Sequence, residues 1–158
     1  MVKRVLIAAL FCLGAPAAFA ASASGPSALA LAAAVGDRDP RLNAIQRLAL
    51  EKLFDGRINF DFPSGQKIVV KADKIVCRVS NVAIADRSCE LTFGPHVVNL
   101  AGRSANELYD AIAVAGVASD GAAGSIFEAL RELECTVDPG LIRQKSGAGA
   151  DCTFTAGP

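Results

Sequence analysis

The positions of the five cysteines constrain the fold of this chain more than any other feature of its sequence. One of them, Cys12, lies in an N-terminal segment that has the form of a secretory signal, with a basic start, an apolar run over 5–13 and a small-x-small triplet at 18–20. Cleavage after Ala20 leaves four cysteines, an even set in a chain sent to an oxidising compartment. The sequence therefore predicts a bacterial-type periplasmic or extracellular domain held by two disulfides.

The pairing of the four remaining cysteines follows from their places on predicted strands. Each lies in an alternating apolar and polar segment and shares the apolar side, so each is expected to point inward. Three pairings are possible in principle. Opposed places on two hairpins favour Cys77–Cys89 and Cys135–Cys152. A zinc site is the alternative, but the chain has no Cys-x-x-Cys pair and only one histidine, His96.

The segment patterns predict an α+β fold. We expect an antiparallel sheet of about five strands, packed on one face by two or three helices, with a C-terminal disulfide-braced hairpin. Helices are expected from Asp39-Pro40 to about Leu53, from Ser104 to Gly116, and from Asp120 or Ser125 to Leu133. The predicted strands cover 58–62, 67–71, 75–80, 88–93 and 97–100.

The domain organisation expected from the sequence is a signal peptide over 1–20, a leader over 21–38 and a single α+β domain over 39–158. The leader is rich in Ala and Ser and shows no clear polarity pattern, so we expect it to be flexible. An Ala-rich helix is the alternative for this segment. A chain that starts at Asp37 is expected to fold like the full mature protein.

Charge and aromatic content argue against several classes of partner. Removing Lys3 and Arg4 from the 16 basic residues leaves 14 against 16 acidic ones, a formal charge of −2, so no nucleic-acid partner is expected. The chain has no Trp and a single Tyr for stacking on bases or sugars. No uncharged apolar run reaches the length of about 20 residues that a transmembrane anchor needs. Lipidation at Cys12 is disfavoured because the bulky Phe11 precedes it.

No catalytic centre is apparent. A nucleophilic triad has to use His96, and the chain contains no Gly-x-Ser-x-Gly motif. The acidic residues are scattered, and Asp110, Glu128 and Glu132 are expected on solvated helix surfaces. The glycine-rich segment 121–125 precedes a predicted helix but lacks the lysine of a phosphate loop. We therefore expect no catalytic residues, no metal and no cofactor.

A first candidate binding surface is a basic face on the sheet. It consists of outward positions of adjacent predicted strands, Lys67, Lys71, Lys74 and Arg78. Such a face suits an acidic protein or an anionic envelope polymer. An ordinary solvated sheet surface is the alternative.

A second candidate surface is the loop midway between Cys77 and Cys89. Apolar residues are unexpected at the tip of a hairpin, and they either fold onto the core or form a contact patch braced by the disulfide. The candidate contact residues are Asn81, Val82, Ala83, Ile84 and Asp86.

These features predict an exported, disulfide-stabilised binding or inhibitor-like module without catalytic activity, whose partner is a protein or an envelope polymer. A structural component of a cell-envelope assembly is the alternative. A small hydrolase that uses carboxylates is a third possibility. A basic sheet face favours the first, a broad apolar helix face the second, and carboxylates converging in a deep pocket the third.

Overall fold

The computed structural model describes residues 19–78, 87–115, 129–144 and 148–157. Within them, all strands join one antiparallel sheet in the order β1-β6-β5-β2-β3-β4. This confirms the predicted antiparallel α+β fold, and the C-terminal hairpin β5–β6 lies inside the sheet rather than beside it. The strands are β1 (Phe19–Ser24), β2 (Ile68–Arg78), β3 (Ser88–Phe93), β4 (His96–Ala101), β5 (Ala129–Val137) and β6 (Ala150–Gly157).

The helices pack over the buried face of this sheet. They are α1 (Gly25–Gly36), α2 (Ala44–Phe54), α3 (Arg103–Val114) and the short α4 (Pro139–Arg143). Helix α1 is central, because it contacts β1, β6, β5 and β2 below it and both α2 and α3 beside it. Along β2 the alternate residues are exposed, so the opposite face of the sheet is open to solvent there. Among the described residues no helix is long and apolar enough to cross a bilayer.

Both predicted disulfides are present and lie beneath the helices. Cys77 pairs with Cys89 and Cys135 with Cys152, at Cα–Cα distances of 4.1 and 4.0 Å between directly opposed strand residues. All four cysteines are buried. The sulfur of Cys152 lies 3.4 Å from the Ala28 carbonyl oxygen of α1. The disulfides therefore brace neighbouring strands at the level where the helices rest on the sheet.

The segment 21–38 is not the flexible leader that the sequence predicts. Its first residues complete β1 on the edge of the sheet, and Gly25, with a φ of 63°, turns the chain directly into α1. Ala28, Leu31, Ala32 and Val35 on the inner side of α1 are fully buried. These four residues have helical spacing. Because alanines lie on both sides of the helix, the difference in hydrophobicity between the inner and the outer side is small, and the polarity pattern does not reveal the helix.

The expectation that a helix runs from Asp120 or Ser125 to Leu133 is wrong over its last part, which belongs to β5; residues 120–128 lie outside the described part. Glu132 has a φ of 53° and forms a bulge against β6. The bulge shifts the alternation by one residue, so Leu130 and Leu133, three residues apart, both face the core. A spacing of three residues between apolar side chains is also typical of one face of a helix, which is why the sequence pattern indicated a helix here.

The two predicted strands 67–71 and 75–80 form one strand, β2, as far as Arg78. The alternation of buried and exposed residues breaks within this strand, which is why the sequence pattern indicated two strands. Ala72 lies opposite Leu133 and Ile75 opposite Leu130, so the alternation breaks side by side in both strands. Asp73 and Lys74, which the sequence pattern places in or beside a turn, are consecutive exposed residues of a continuous strand.

The predicted strand at 58–62 is also wrong, because this segment forms an irregular connection. Phe60 and Phe62 contact each other edge to face, with ring centroids 6.5 Å apart. Arg143 donates a hydrogen bond of 2.8 Å to the Phe60 carbonyl oxygen, and its guanidinium lies 4.7 Å from the ring centroid. The alternating phenylalanines thus anchor a loop to α4 rather than pairing in the sheet.

Helix α2 begins four residues later than the Asp39-Pro40 signal predicts. Asn43 caps it through a reciprocal pair of hydrogen bonds with Gln46. Asp39 is buried instead, and its carboxylate accepts two hydrogen bonds of 2.9 Å from the Arg41 guanidinium. Arg41 also donates to the Lys71 carbonyl oxygen, so this pair ties the α1–α2 connection to β2.

Candidate functional site

The exposed face of β2 carries Lys71, Lys74 and Arg78 of the predicted basic face, and Lys67 lies directly before this strand. All four side chains are solvent-exposed, as expected, but the face is of mixed charge. Lys71 forms an ion pair of 2.7 Å with Glu134 of β5, and Glu90 of β3 lies opposite Val76, on the exposed side. Carboxylates on both neighbouring strands therefore offset the positive charge to which a polyanion would bind.

The predicted contact loop lies outside the described residues. Asn81, Val82, Ala83, Ile84 and Asp86 all fall in the interval 79–86, so the choice between a buried and an exposed tip stays open. The Cys77–Cys89 disulfide at its base is in place. The loop stays a prediction.

The residues weighed for catalysis do not come together in the described part of the chain. His96 is exposed at the start of β4, opposite Phe93. Asp110 accepts a hydrogen bond of 3.1 Å from Asn106 of the same helix, and Glu132 is exposed at the β5 bulge on the sheet. In these ranges no three His, Cys, Asp or Glu side chains are grouped to hold a metal ion.

The described residues form a groove over the outer surface of α1, which we call the α1 groove. Its volume is about 730 Å³. Helix α1 forms the floor, and α2 and α3 form the two walls. The floor residues are Pro26, Ser27, Ala30, Ala33, Ala34, Asp37 and Arg38; the walls are Arg47, Glu51 and Phe54 of α2 and Glu107, Asp110, Ala111 and Val114 of α3.

The groove exists because the outer side of α1 carries almost no side-chain volume. Ser27, Ala30 and Ala33 recur every three residues along that side, so they lie on one face of the helix. The larger side chains Leu31 and Val35 point the other way, into the core. The side chains of α2 and α3 therefore border a surface of small residues on α1.

Two large apolar side chains line the groove without being covered by the described residues. Phe54, the last residue of α2, is 56% exposed, and Val114, the last residue of α3, is 66% exposed. The apolar lining of the groove thus includes Phe54, Val114 and Pro26.

The charged residues of the groove are mainly acidic. Four carboxylates, Asp37, Glu51, Glu107 and Asp110, line it together with two arginines. Arg38 lies 2.7 Å from Asp37 and 3.8 Å from Glu107 and donates to the Ala34 carbonyl oxygen. Arg47 donates a hydrogen bond of 2.9 Å to the Leu42 carbonyl oxygen. Arg38 is thus paired with carboxylates, whereas Arg47 has no ion pair among the described residues and its buried Nε has no hydrogen-bond partner there.

Sequence reasoning missed this groove because it assigned the floor to a flexible leader. The available signal was the spacing of Ala28, Leu31, Ala32 and Val35 after Pro26, a proline at the first turn of a helix. The walls carry weaker signals, since Phe54 and Val114 simply extend the apolar content of two predicted helices.

Comparison with known proteins gave no match: no family model, no curated protein and no solved structure is significantly similar to this chain.

Proposed function

We propose that this chain is an exported binding module, without catalytic activity of its own, that takes its ligand in the α1 groove. The observation that carries the proposal is the groove itself, with a floor of small residues and with Phe54 and Val114 exposed on its walls. Its volume of about 730 Å³ falls in the range of roughly 300–1,000 Å³ that is typical of ligand sites. Exposed apolar groups in a concavity supply binding free energy when a ligand removes them from water.

Export to the periplasm or the medium is part of the proposal. Two buried disulfides favour an oxidising compartment. Cleavage after Ala20 removes the signal segment and leaves residues 21–24 in register with β6, so the mature chain keeps most of its edge strand. Mass spectrometry of the exported protein should give an N-terminus at Ala21.

The binding proposal is tested with Nile red, a neutral apolar dye, and the oxidised chain 21–158. We expect saturable dye fluorescence that weakens at least tenfold in Ala33→Trp, which fills the floor, and in Phe54→Ser, which removes a wall. Ala113→Trp is the matched control, since Ala113 is exposed on α3 and does not line the groove. Equal dye binding by all four proteins would contradict the proposal.

The predicted contact loop is the competing site for the same function. The variant Val82→Asp/Ile84→Asp alters its tip and leaves every groove residue intact. If this variant loses dye binding and Phe54→Ser keeps it, the binding surface is the loop rather than the α1 groove.

A second candidate function, a component of an envelope assembly, is favoured by a different surface. Helix α2 exposes Ile45 and Leu48 to solvent, at 62% and 48%, away from the groove. Such a surface is typical of a helix that packs on a partner subunit. Sedimentation of the wild type and of Ile45→Asp/Leu48→Asp tests it: a change from assembly to monomer supports this function.

A further inference from the structure

The shape of the α1 groove is that of a trough rather than a pocket. Its floor follows α1 from Pro26 and continues to Arg38 just beyond the end of the helix, and a helix of twelve residues is about 18 Å long at 1.5 Å per residue. A trough of this length, bordered by a helix on each side, matches about three turns of another helix.

The floor also has the composition that close helix packing requires. Ser27, Ala30 and Ala33 line the trough with small side chains along one row of α1. Small residues at such spacing allow a second helix to approach closely, with its own side chains set between the ridges of the first. Phe54 and Val114, which are exposed on the two walls, then contact the flanks of the added helix.

The charged residues that line the trough indicate the sign of the charge that its occupant carries. Arg38 is paired with Asp37 and Glu107, whereas Arg47 on the α2 wall has no ion pair among the described residues, so the lining holds four carboxylates against two arginines. Glu51 on the α2 wall and Asp110 on the α3 wall have no ion pair among the described residues. An occupant with an apolar stripe and basic residues on both sides of it therefore meets a carboxylate on each wall.

We propose that the ligand of the α1 groove is an amphipathic helix of a partner protein, about three turns long, whose apolar stripe is flanked on both sides by Lys or Arg. This inference rests on the proposed binding function and deepens it. The mode is that of a helix laid into a groove formed by other helices.

The direct test uses a synthetic 14-residue peptide of Leu and Lys with helical amphipathic spacing. A peptide with Glu in place of every Lys, and one with the same composition in scrambled order, are the controls. We expect the Leu/Lys peptide to bind the oxidised chain 21–158 at least tenfold more tightly than either control, with an affinity that falls as salt is raised.

The site of binding is tested by reversing charge on the two walls. Glu51→Lys/Asp110→Lys should weaken binding of the Leu/Lys peptide at least tenfold. The matched control, Glu90→Lys/Asp151→Lys, makes the same change in net charge on the sheet and should leave the affinity within about twofold. Both pairs consist of exposed residues, so each variant is expected to fold.

The outcomes separate this inference from the proposed function. Saturable Nile red binding at the groove, together with equal affinity for the Leu/Lys and Leu/Glu peptides, overturns the inference and leaves the function in place. Absence of both dye and peptide binding overturns the two together.

If the wild type sediments as a dimer that Ala33→Trp dissociates, the occupant is a second copy of the chain. This result overturns the inference.

Discussion

At the scale of single residues, Asp39 and Arg41 form a polar contact that involves a buried carboxylate. Asp39 is 1% exposed, and a carboxylate so buried is tolerated only when it is paired and hydrogen-bonded. Arg41 supplies that pairing, and its hydrogen bonds to Asp39 raise the pKa of the guanidinium. The guanidinium also lies 5.5 Å from the ring centroid of Phe93, so one side chain links the α1–α2 connection to β2 and β3.

We therefore expect Asp39→Ala to lower the free energy of unfolding by about 1–3 kcal/mol, since it removes the acceptor of three hydrogen bonds, including that of the Arg41 backbone N–H. Urea unfolding followed by circular dichroism measures the change. Asp37→Ala is the control, because the Asp37 side chain is 65% exposed and its ion pair with Arg38 is at the surface. Similar losses of unfolding free energy in the two variants would mean that the buried pair stabilises the fold no more than a surface ion pair does.

At the scale of elements, α1 is the helix on which the others depend. It contacts four strands and both neighbouring helices, and its inner residues Leu31 and Val35 are fully buried. Burial of such side chains contributes roughly 1.5–3 kcal/mol each, a large share of the typical stability of a small domain.

Removal of α1 should consequently unfold the domain. We expect the chain 37–158 to lack a cooperative thermal transition, whereas the chain 21–158 should melt cooperatively, as seen by circular dichroism. Leu31→Ala in the chain 21–158 should destabilise it by about 2–5 kcal/mol, and Leu29→Ala, at a less buried position of the same helix, by less. A chain 37–158 with the melting temperature of the longer one would show that α1 is dispensable after all.

At the scale of the whole molecule, two disulfides hold the sheet at different places. Cys77–Cys89 joins β2 to β3, below α3, and Cys135–Cys152 joins β5 to β6, below α1. Their sequence separations are 12 and 17 residues. Because all four cysteines are buried, the bonds are shielded from reductants in the folded state.

We expect the oxidised mature chain to show no alkylatable thiol by intact mass under denaturing conditions. Removing either bond, as Cys77→Ala/Cys89→Ala or Cys135→Ala/Cys152→Ala, should lower the stability by about 3 kcal/mol, since short closed loops restrict the unfolded chain. Thermal melts with and without reductant measure the effect. A reduced protein that melts at the same temperature as the oxidised one would argue against this role.

The sequence alone determined the parts of this protein that depend on local pattern. Alternation within β3 and β6 placed Cys89 and Cys152 on the buried side, and the short connections between strands favoured antiparallel pairing, so the disulfides followed from strand position. Only the tertiary structure decided the rest. The burial of α1 was hidden because alanines on both of its sides give no polarity contrast, and the bulge at Glu132 made a strand imitate a helix. The α1 groove joins Ala33, Phe54 and Val114, residues of three separate helices, and such a site arises only from packing, which no local pattern encodes.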